Sequence, residues 1–439
     1  MEASEPARAG QSSVRAIAAA VAGTVFEWFD FFLYGSLAVV FGRQFFPPGH
    51  ESAGLLAALA VFGAGWVVRP LGALVFGRIG DRVGRRRAFL ITIVLMGFST
   101  VSIGLLPTYA QVGLLAPALL VTLRLLQGLA VGGEFGGAAT YVAEHSSPHR
   151  RGLNTSLVMG TGTLGLLLAL LSIALARGAL GQEAFEQWGW RLPFLASVLL
   201  LALSVYMRLH LAESPAFEKL KREGQVANAP LREAFGNREH LKAMVLVLAT
   251  LTAAQGVVWN AGQYFPLVFL QSPLGLDVGQ ASSLMMVALL LAAPMFPLAG
   301  WLSDRFGRRP VIISGFLLSA MTLLPSYMLL AAVVRNGLPM VASLALLWWL
   351  SVPVALVCGP ASAYLVELFP TRIRYSAIGL PYHLGNGWFG GFMPLATVAV
   401  GLHFSSEFAG LVYPTAMALV CGLLALWSMP ETRHRDITR

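Results

Sequence analysis

Apolar residues run in long blocks from one end of this chain to the other, and short polar stretches separate them. A helix needs about 20 mostly apolar residues to cross the hydrocarbon core of a bilayer. Twelve blocks meet that length, near 16–42, 54–76, 88–106, 112–143, 153–176, 191–209, 242–270, 281–302, 311–333, 339–366, 376–403 and 408–428. Most connections between them are short. The exception is the charged and polar stretch 210–240, where the pattern predicts an amphipathic helix over 215–223. The pattern therefore predicts an all-α membrane protein of twelve transmembrane helices. Residues 1–209 form one six-helix bundle, 210–240 a central cytoplasmic loop, and 241–439 a second six-helix bundle with a short cytoplasmic tail.

Composition agrees with this reading and removes the soluble alternative. The 439 residues are 56% hydrophobic and only 12% charged, against about 25% charged in soluble domains. Mean hydropathy is +0.71. The 46 glycines and 24 prolines are frequent within the blocks, as transmembrane helices tolerate. The polar residues 1–15 and the long block after them do not form a cleavable leader, so the first span is expected to be retained. Cys358 and Cys421 lie within apolar blocks without metal-ligand spacing and read as packing residues.

The net charge of +9 is not gathered into a nucleic-acid patch. With both termini on one side, that side holds 24 of the 30 lysines and arginines, among them Arg78, Arg82, Arg85, Arg86 and Arg87. The other side holds four, Arg43, Arg177, Arg191 and Arg335, and Arg69 and Arg124 fall within spans. Positive loops stay in the cytoplasm, so both termini are expected there, in a multi-pass protein of the cell (inner) membrane.

The chain repeats itself. GRIGDRVGRRR at 77–87 matches GWLSDRFGRRP at 300–310 at an offset of 223 residues. The same offset pairs Glu144 with Glu367 and Arg151 with Arg374. Parallel repeats of this kind relate the two halves of one large class of transporter.

Several motifs carry a resemblance. G-x-x-x-D-R-x-G-R-R at 77–86 and R-x-x-Q-G-x-x-x-G-G at 124–133 resemble signatures of the major facilitator superfamily. GTVFEWFDFFLYG (23–35), VVRPLGALVFG (67–77), RLLQGLAVGGEFGGAATYVAE (124–144), WGWRLPF (188–194), HLAESPAF (210–217) and ELFPTRIRYSAIG (367–379) together resemble its metabolite:H⁺ symporter family. That family includes permeases for shikimate, 2-oxoglutarate, citrate and proline/betaine. The resemblance spans nearly the whole chain and leaves the substrate open.

Ionisable groups inside a bilayer are costly and mark function. Five stand out, all in the first half: Glu27, Asp30, Arg69, Arg124 and Glu134. Glu27, Asp30 and Tyr34 share one helical face. Asp30 lies roughly 21 Å from the start of its span and Arg124 roughly 18 Å from the outer end of its own, at about 1.5 Å per residue. These depths permit a pair in which Asp30 couples the proton and Arg124 is its partner or, through its fork, binds an anionic substrate. Similarity to proton-coupled sugar porters, with an acid in span one and an arginine in span four, implies the same; a permanent ion pair is the alternative. Glu27 is the competing proton site. Glu134, flanked by glycines, either packs helices or lines a cavity. Arg69 faces Glu27, Glu134 or substrate. Substrate contacts are further expected from Tyr34, Gln127, Gln255, Trp259, Asn260, Gln263, Tyr264, Tyr364, His383, Asn386 and Trp388.

The repeated loops predict a gate. Asp81 and Asp304 are placed to cap neighbouring helix N-termini. Arg82, Arg85 and Arg86 are expected to pair with Glu144, and Arg308 with Glu367, while Arg305, Arg151 and Arg374 join these networks. Glu213 and Glu431 resemble further acids of such networks.

No nucleotide-binding G-x-x-x-x-G-K-[ST] loop, metal-binding H-E-x-x-H or Ser/His/Asp constellation occurs, which argues against ATP drive and against an enzyme. The expected activity is proton-coupled symport of a small organic acid, with a zwitterionic osmolyte such as proline or betaine as the alternative, and uniport or drug export behind both. The expected partners are substrate, protons and the lipid bilayer, with no nucleic acid and no cofactor, and the chain is read as working as a monomer.

Overall fold

The structure is a computed structural model that describes residues 5–49, 51–83, 85–209, 218, 221–224 and 230–437; the side chains of 5–16, 19, 51, 85, 86, 230 and 231 also lie outside the description. The described residues are almost wholly helical, with no strand among them. The helix predicted over 215–223 lies largely outside the described residues, as does Glu213.

Among the described residues, ten helices are long and apolar enough to cross a membrane, including Ser52–Val83, Leu115–Glu144, Pro148–Leu180 and Met340–Leu368. The first span is a bent pair, Ala20–Ser36 and Ala38–Gln44 at 56°, and counts as an eleventh when taken together. The predicted span 376–403 does not meet the test. It is helical over Arg374–Leu384 and Met393–His403, joined by the π-helical Gly385–Gly390. Pro381 removes a backbone donor, His383 and Asn386 are polar, and a turn at Phe392 interrupts the helix. These breaks account for the gap between twelve predicted spans and the ten to eleven observed.

Small residues decide which helices meet closely, as expected where lipid supplies no hydrophobic drive between them. A Cβ at Gly128 would strike the Gly65 carbonyl, and one at Gly132 the Arg69 carbonyl. Glycine is therefore required where the span-four helix crosses the span-two helix. Arg69 and Arg124 are carried by these two backbones.

Contacts between the sequence halves follow the repeat. Helix Arg69–Val83 packs on Arg374–Leu384, and Met295–Phe306 packs on Arg151–Leu180. Each pair maps onto the other under the 223-residue offset.

Candidate functional site

A cavity lies between the halves. Trp28, Trp66, Val158, Met159 and Gly162 line it from the first half. Gln255, Gly256, Trp259, Asn260, Cys358, Tyr382 and Asn386 line it from the second. Among the described residues, no acidic side chain lines it. Asn260 and Asn386 sit in the π-helical segments Asn260–Tyr264 and Gly385–Gly390; such segments interrupt the regular ladder and frequently occur at functional sites. Gln255 donates to the Met159 sulfur at 3.3 Å, and Asn260 to the Gly256 carbonyl at 2.9 Å. Gln255 Oε1 and Asn260 Oδ1 have no hydrogen-bond partner.

Behind the Trp28 and Trp66 wall lie two buried arginines. Arg69 is wholly buried, and its Nε, Nη1 and Nη2 have no hydrogen-bond partner among the described residues. Its guanidinium lies 3.5 Å from the centre of the Trp66 ring, 4.2 Å from Phe31 and 5.1 Å from Trp28. Arg124 is also wholly buried, 4.3 Å from Phe31 and 4.4 Å from Tyr34.

The predicted Asp30–Arg124 ion pair is absent. Arg124 Nη1 donates instead to Gln127 Oε1 at 2.7 Å and to the Phe31 carbonyl at 3.4 Å. Gln127, one turn along the same helix, takes the place expected for the carboxylate. Its amide donates to Thr100 Oγ1 at 2.8 Å, and the Thr100 hydroxyl donates in turn to the Met96 carbonyl at 3.0 Å. Asp30 is buried and its Oδ1 has no partner.

Glu27 and Glu134 do not face Arg69. Both engage Arg208, whose Nη2 donates to Glu27 Oε1 at 2.8 Å and to Glu134 Oε1. Thr92 donates to Glu134 Oε2 at 3.0 Å. All three ionic groups are buried. Glu134 therefore does not line the cavity, and Arg208, counted as a loop-side positive charge from its place at the end of span six, is a buried partner of two acids.

The remaining predicted contacts divide. Tyr34 donates to the Ala58 carbonyl. Tyr264 donates to the Gly35 carbonyl at 2.9 Å and stacks on Phe62, and Gln263 accepts from Thr163 at 2.6 Å. The last two tie the halves together rather than lining the cavity. His383 is buried, edge-on to Tyr382, and does not line the cavity either. Tyr364 stands four residues from the end of its helix, near Glu431 and Arg435 rather than the cavity. Trp388 is half exposed and donates to the Val67 carbonyl.

The repeated loops hold a dense network. Asp304 accepts from the backbone N–H groups of Gly152 and Leu153, both at 2.8 Å, at the start of helix Arg151–Leu180. Asp81 likewise accepts from the Ser376 N–H at 3.3 Å and hydroxyl at 2.6 Å, near the start of Arg374–Leu384. Arg308 donates to Ser303, Asp304 and Glu367. Arg151 reaches across to Glu367 at 3.1 Å, and Arg374 reaches across to Glu144 at 3.2 Å. Each arginine thus pairs with the acid of the other half. Glu144 takes Arg374; Arg82 and Arg305 are exposed, and the Arg85 and Arg86 side chains lie outside the described residues.

Glu431 accepts four backbone N–H groups, from Arg308, Arg309, Thr432 and Arg433. Burial pushes its carboxyl up, but these donors outweigh burial and hold it below its ordinary value. Thr432 donates to Glu367, and the Ile437 carbonyl accepts from Thr371 and Arg374.

The described residues hold no cluster of His, Cys, Asp or Glu suited to a metal. The whole arrangement is a polar and aromatic cavity between two repeats, with buried charges beside it and ion pairs across one side. A family model described as sugar (and other) transporter matches residues 15–230 and again 216–439. The chain belongs to that family, within the major facilitator superfamily. Among its relatives, the citrate-proton symporter of Klebsiella pneumoniae is 34% identical, over 95% of this chain and 92% of its own. The proline/betaine transporter of Salmonella typhimurium is 34% identical, over 96% of this chain and 84% of its own. Among solved structures, the proton:xylose symporter XylE bound to 6-bromo-6-deoxy-D-glucose superposes with a TM-score of 0.73, over 98% of each chain at 20% identity. The protein is therefore a transporter of the major facilitator superfamily rather than an enzyme.

Sequence reasoning missed Trp28, Trp66, Phe31, Thr100, Tyr382 and Arg208 as members of this region. Trp28 and Phe31 are three apart, as are Trp66 and Arg69, so helical spacing placed each tryptophan near a residue of interest.

Proposed function

We propose that this transporter carries a small organic acid together with a proton across the cell membrane, by alternating access of its two halves to the central cavity. The observation that carries the coupling is Asp30, a buried carboxylate with an unpartnered oxygen and no cation paired with it among the described residues. Uncompensated charge inside a bilayer is costly, and taking up a proton removes it. A cavity without acidic lining, flanked by two arginines without carboxylate partners, supports an anionic substrate. The name of the citrate-proton relative agrees.

The zwitterionic reading has its own support. Three tryptophans, Trp28, Trp66 and Trp259, line the cavity, and aromatic faces suit quaternary ammonium groups. Against it, Arg69 already occupies the faces of Trp66 and Trp28.

In this reading residues 1–209 and 241–439 rock about the cavity. The network at the repeated loops is the cytoplasmic gate, with both termini on that side, as the distribution of lysine and arginine favours. Contacts join the halves on both sides of the cavity, which supports reading this form as occluded.

The test is uptake by proteoliposomes containing a pH-sensitive dye. A substrate gradient should acidify the lumen, and an imposed inward proton gradient should drive accumulation. D30N should abolish gradient-driven accumulation while retaining exchange of labelled for unlabelled substrate. Full accumulation by D30N would sink the coupling assignment.

A further inference from the structure

We infer that Arg69 anchors the substrate's carboxylate, and that Phe31 is the positioning residue that ties occupancy of Arg69 to Arg124. The inference rests on the reading that this protein carries a carboxylate-bearing solute, and it holds for organic acids and zwitterions alike, since both have that group.

Arg69 is wholly buried, and none of its three nitrogens has a hydrogen-bond partner. A guanidinium has five N–H donors, all directed outward in its plane. The rings of Trp66, Phe31 and Trp28 cover its charge from close range. Aromatic faces compensate the cation but do not meet the in-plane donors. A carboxylate accepting two parallel N–H groups meets that demand and fits the fork. The protein's own nearby acids do not: Glu27 and Glu134 are held by Arg208, and Asp30 forms no ion pair with Arg69; the titratable groups that face Arg69 from the second half are Tyr382 and His383. Trp28 and Trp66 are also cavity wall, so Arg69 stands one side chain behind the space a substrate enters.

Phe31 touches both arginines. Its ring lies 4.2 Å from the Arg69 guanidinium and 4.3 Å from that of Arg124. Its carbonyl accepts from Arg124, and it follows Asp30 in the chain. A carboxylate that draws Arg69 off this ring frees the ring to move, and Arg124 with its Gln127–Thr100 link moves in turn. Charge accounting gives the same direction. Arg69, Arg124 and ionised Asp30 sum to one positive charge. One carboxylate and one proton entering together leave that sum unchanged, whereas either alone changes it. The two ligands therefore favour one another, and such linkage is reciprocal.

The experiment is calorimetric binding of citrate, shikimate, 2-oxoglutarate and glycine betaine to detergent-purified protein at two pH values. Whichever probe binds the wild type should bind R69Q more weakly by about tenfold or more. R69K should fail similarly, because an ammonium lacks the planar fork, and it keeps the buried charge should R69Q misfold. F31L should bind within about threefold of wild type at one pH yet lose the wild-type change of Kd with pH. Wild-type affinity in both Arg69 variants overturns the anchor. A wild-type pH dependence in F31L overturns the positioning role. Binding of glycine betaine alone sinks the organic-acid reading while leaving the Arg69 comparison in force, and no binding of any probe by the wild type overturns both.

Discussion

Two regions of this transporter bury arginines equally well and treat them in opposite ways. Beside the cavity, Arg69 has no hydrogen-bond partner and Arg124 leaves Nε and Nη2 unmet. At the repeated loops, Arg308 is just as buried, yet it reaches Ser303, Asp304 and both oxygens of Glu367. Glu367 also takes Arg151 and Thr432. Buried charge is normally paired; among the described residues the loop network nearly meets that rule, with Arg151 Nε left over, and the central arginines do not. Burial alone therefore does not separate a binding site from a latch; the count of satisfied donors does.

The strongest way to break this comparison is to neutralise one arginine from each region. R308Q removes the cation paired with Asp304 and one of the two paired with Glu367, and breaking a buried ion network costs about 3–5 kcal/mol. R69Q strands nothing, because no acid depends on Arg69. Thermal unfolding in detergent should show a large fall for R308Q and little change for R69Q. Equal losses would mean that Arg69 has a structural partner after all.

A smaller effect is expected from the pairs that cross between halves. Arg151–Glu367 and Arg374–Glu144 each join one repeat to the other. A hydrogen bond between charged groups contributes about 1.5–3 kcal/mol, so E144Q should shift the balance toward the loop-side-open form by about 10- to 150-fold. Distances between spin labels on the two loops should lengthen in E144Q. Unchanged distances would reduce the pair to a packing contact.

The sequence carried the fold and the gate further than it carried the centre. The 223-residue offset exposed which acids and arginines correspond, because the loop network is built twice from the same residues. It did not expose the exchange of partners between halves, since an offset states equivalence and not facing. Asp30 and Arg124 show the same gap at the centre. Helical rise places both at a shared depth, but Gln127, one turn from Arg124, satisfies the guanidinium first. Arg208 read as topology because it sits at a span end, and only the crossing of spans one, four and six brings it between Glu27 and Glu134. Tryptophans in an apolar block look alike from sequence; Trp66 is buried at the cavity while Trp388 is half exposed. In span eleven, the polar residues that suggested a binding surface also broke the helix, and of His383, Asn386 and Trp388 only Asn386 reached the cavity.

The weakest pair sharpens the comparison from the other side. Arg177 donates to Asp277 at 2.9 Å, across the halves and away from the repeated loops. The Arg177 hydrogen bond holds the Asp277 carboxyl below its ordinary value, against a small opposing effect of burial and with help from the Gly279 N–H. A depressed carboxyl contributes stability that is present above its unfolded pKa of about 3.9 and is lost as pH falls through the lower folded value. The closure it supports should therefore be intact at neutral pH and weaken only in acid below about pH 4. The Asp277 side chain is 46% exposed, and an exposed pair contributes at most about 1 kcal/mol, less at high salt. D277N should accordingly widen label distances on this side far less than E144Q widens them on the other. An equal widening would show that crossing between the halves, rather than burial of the pair, sets the strength of a gate contact.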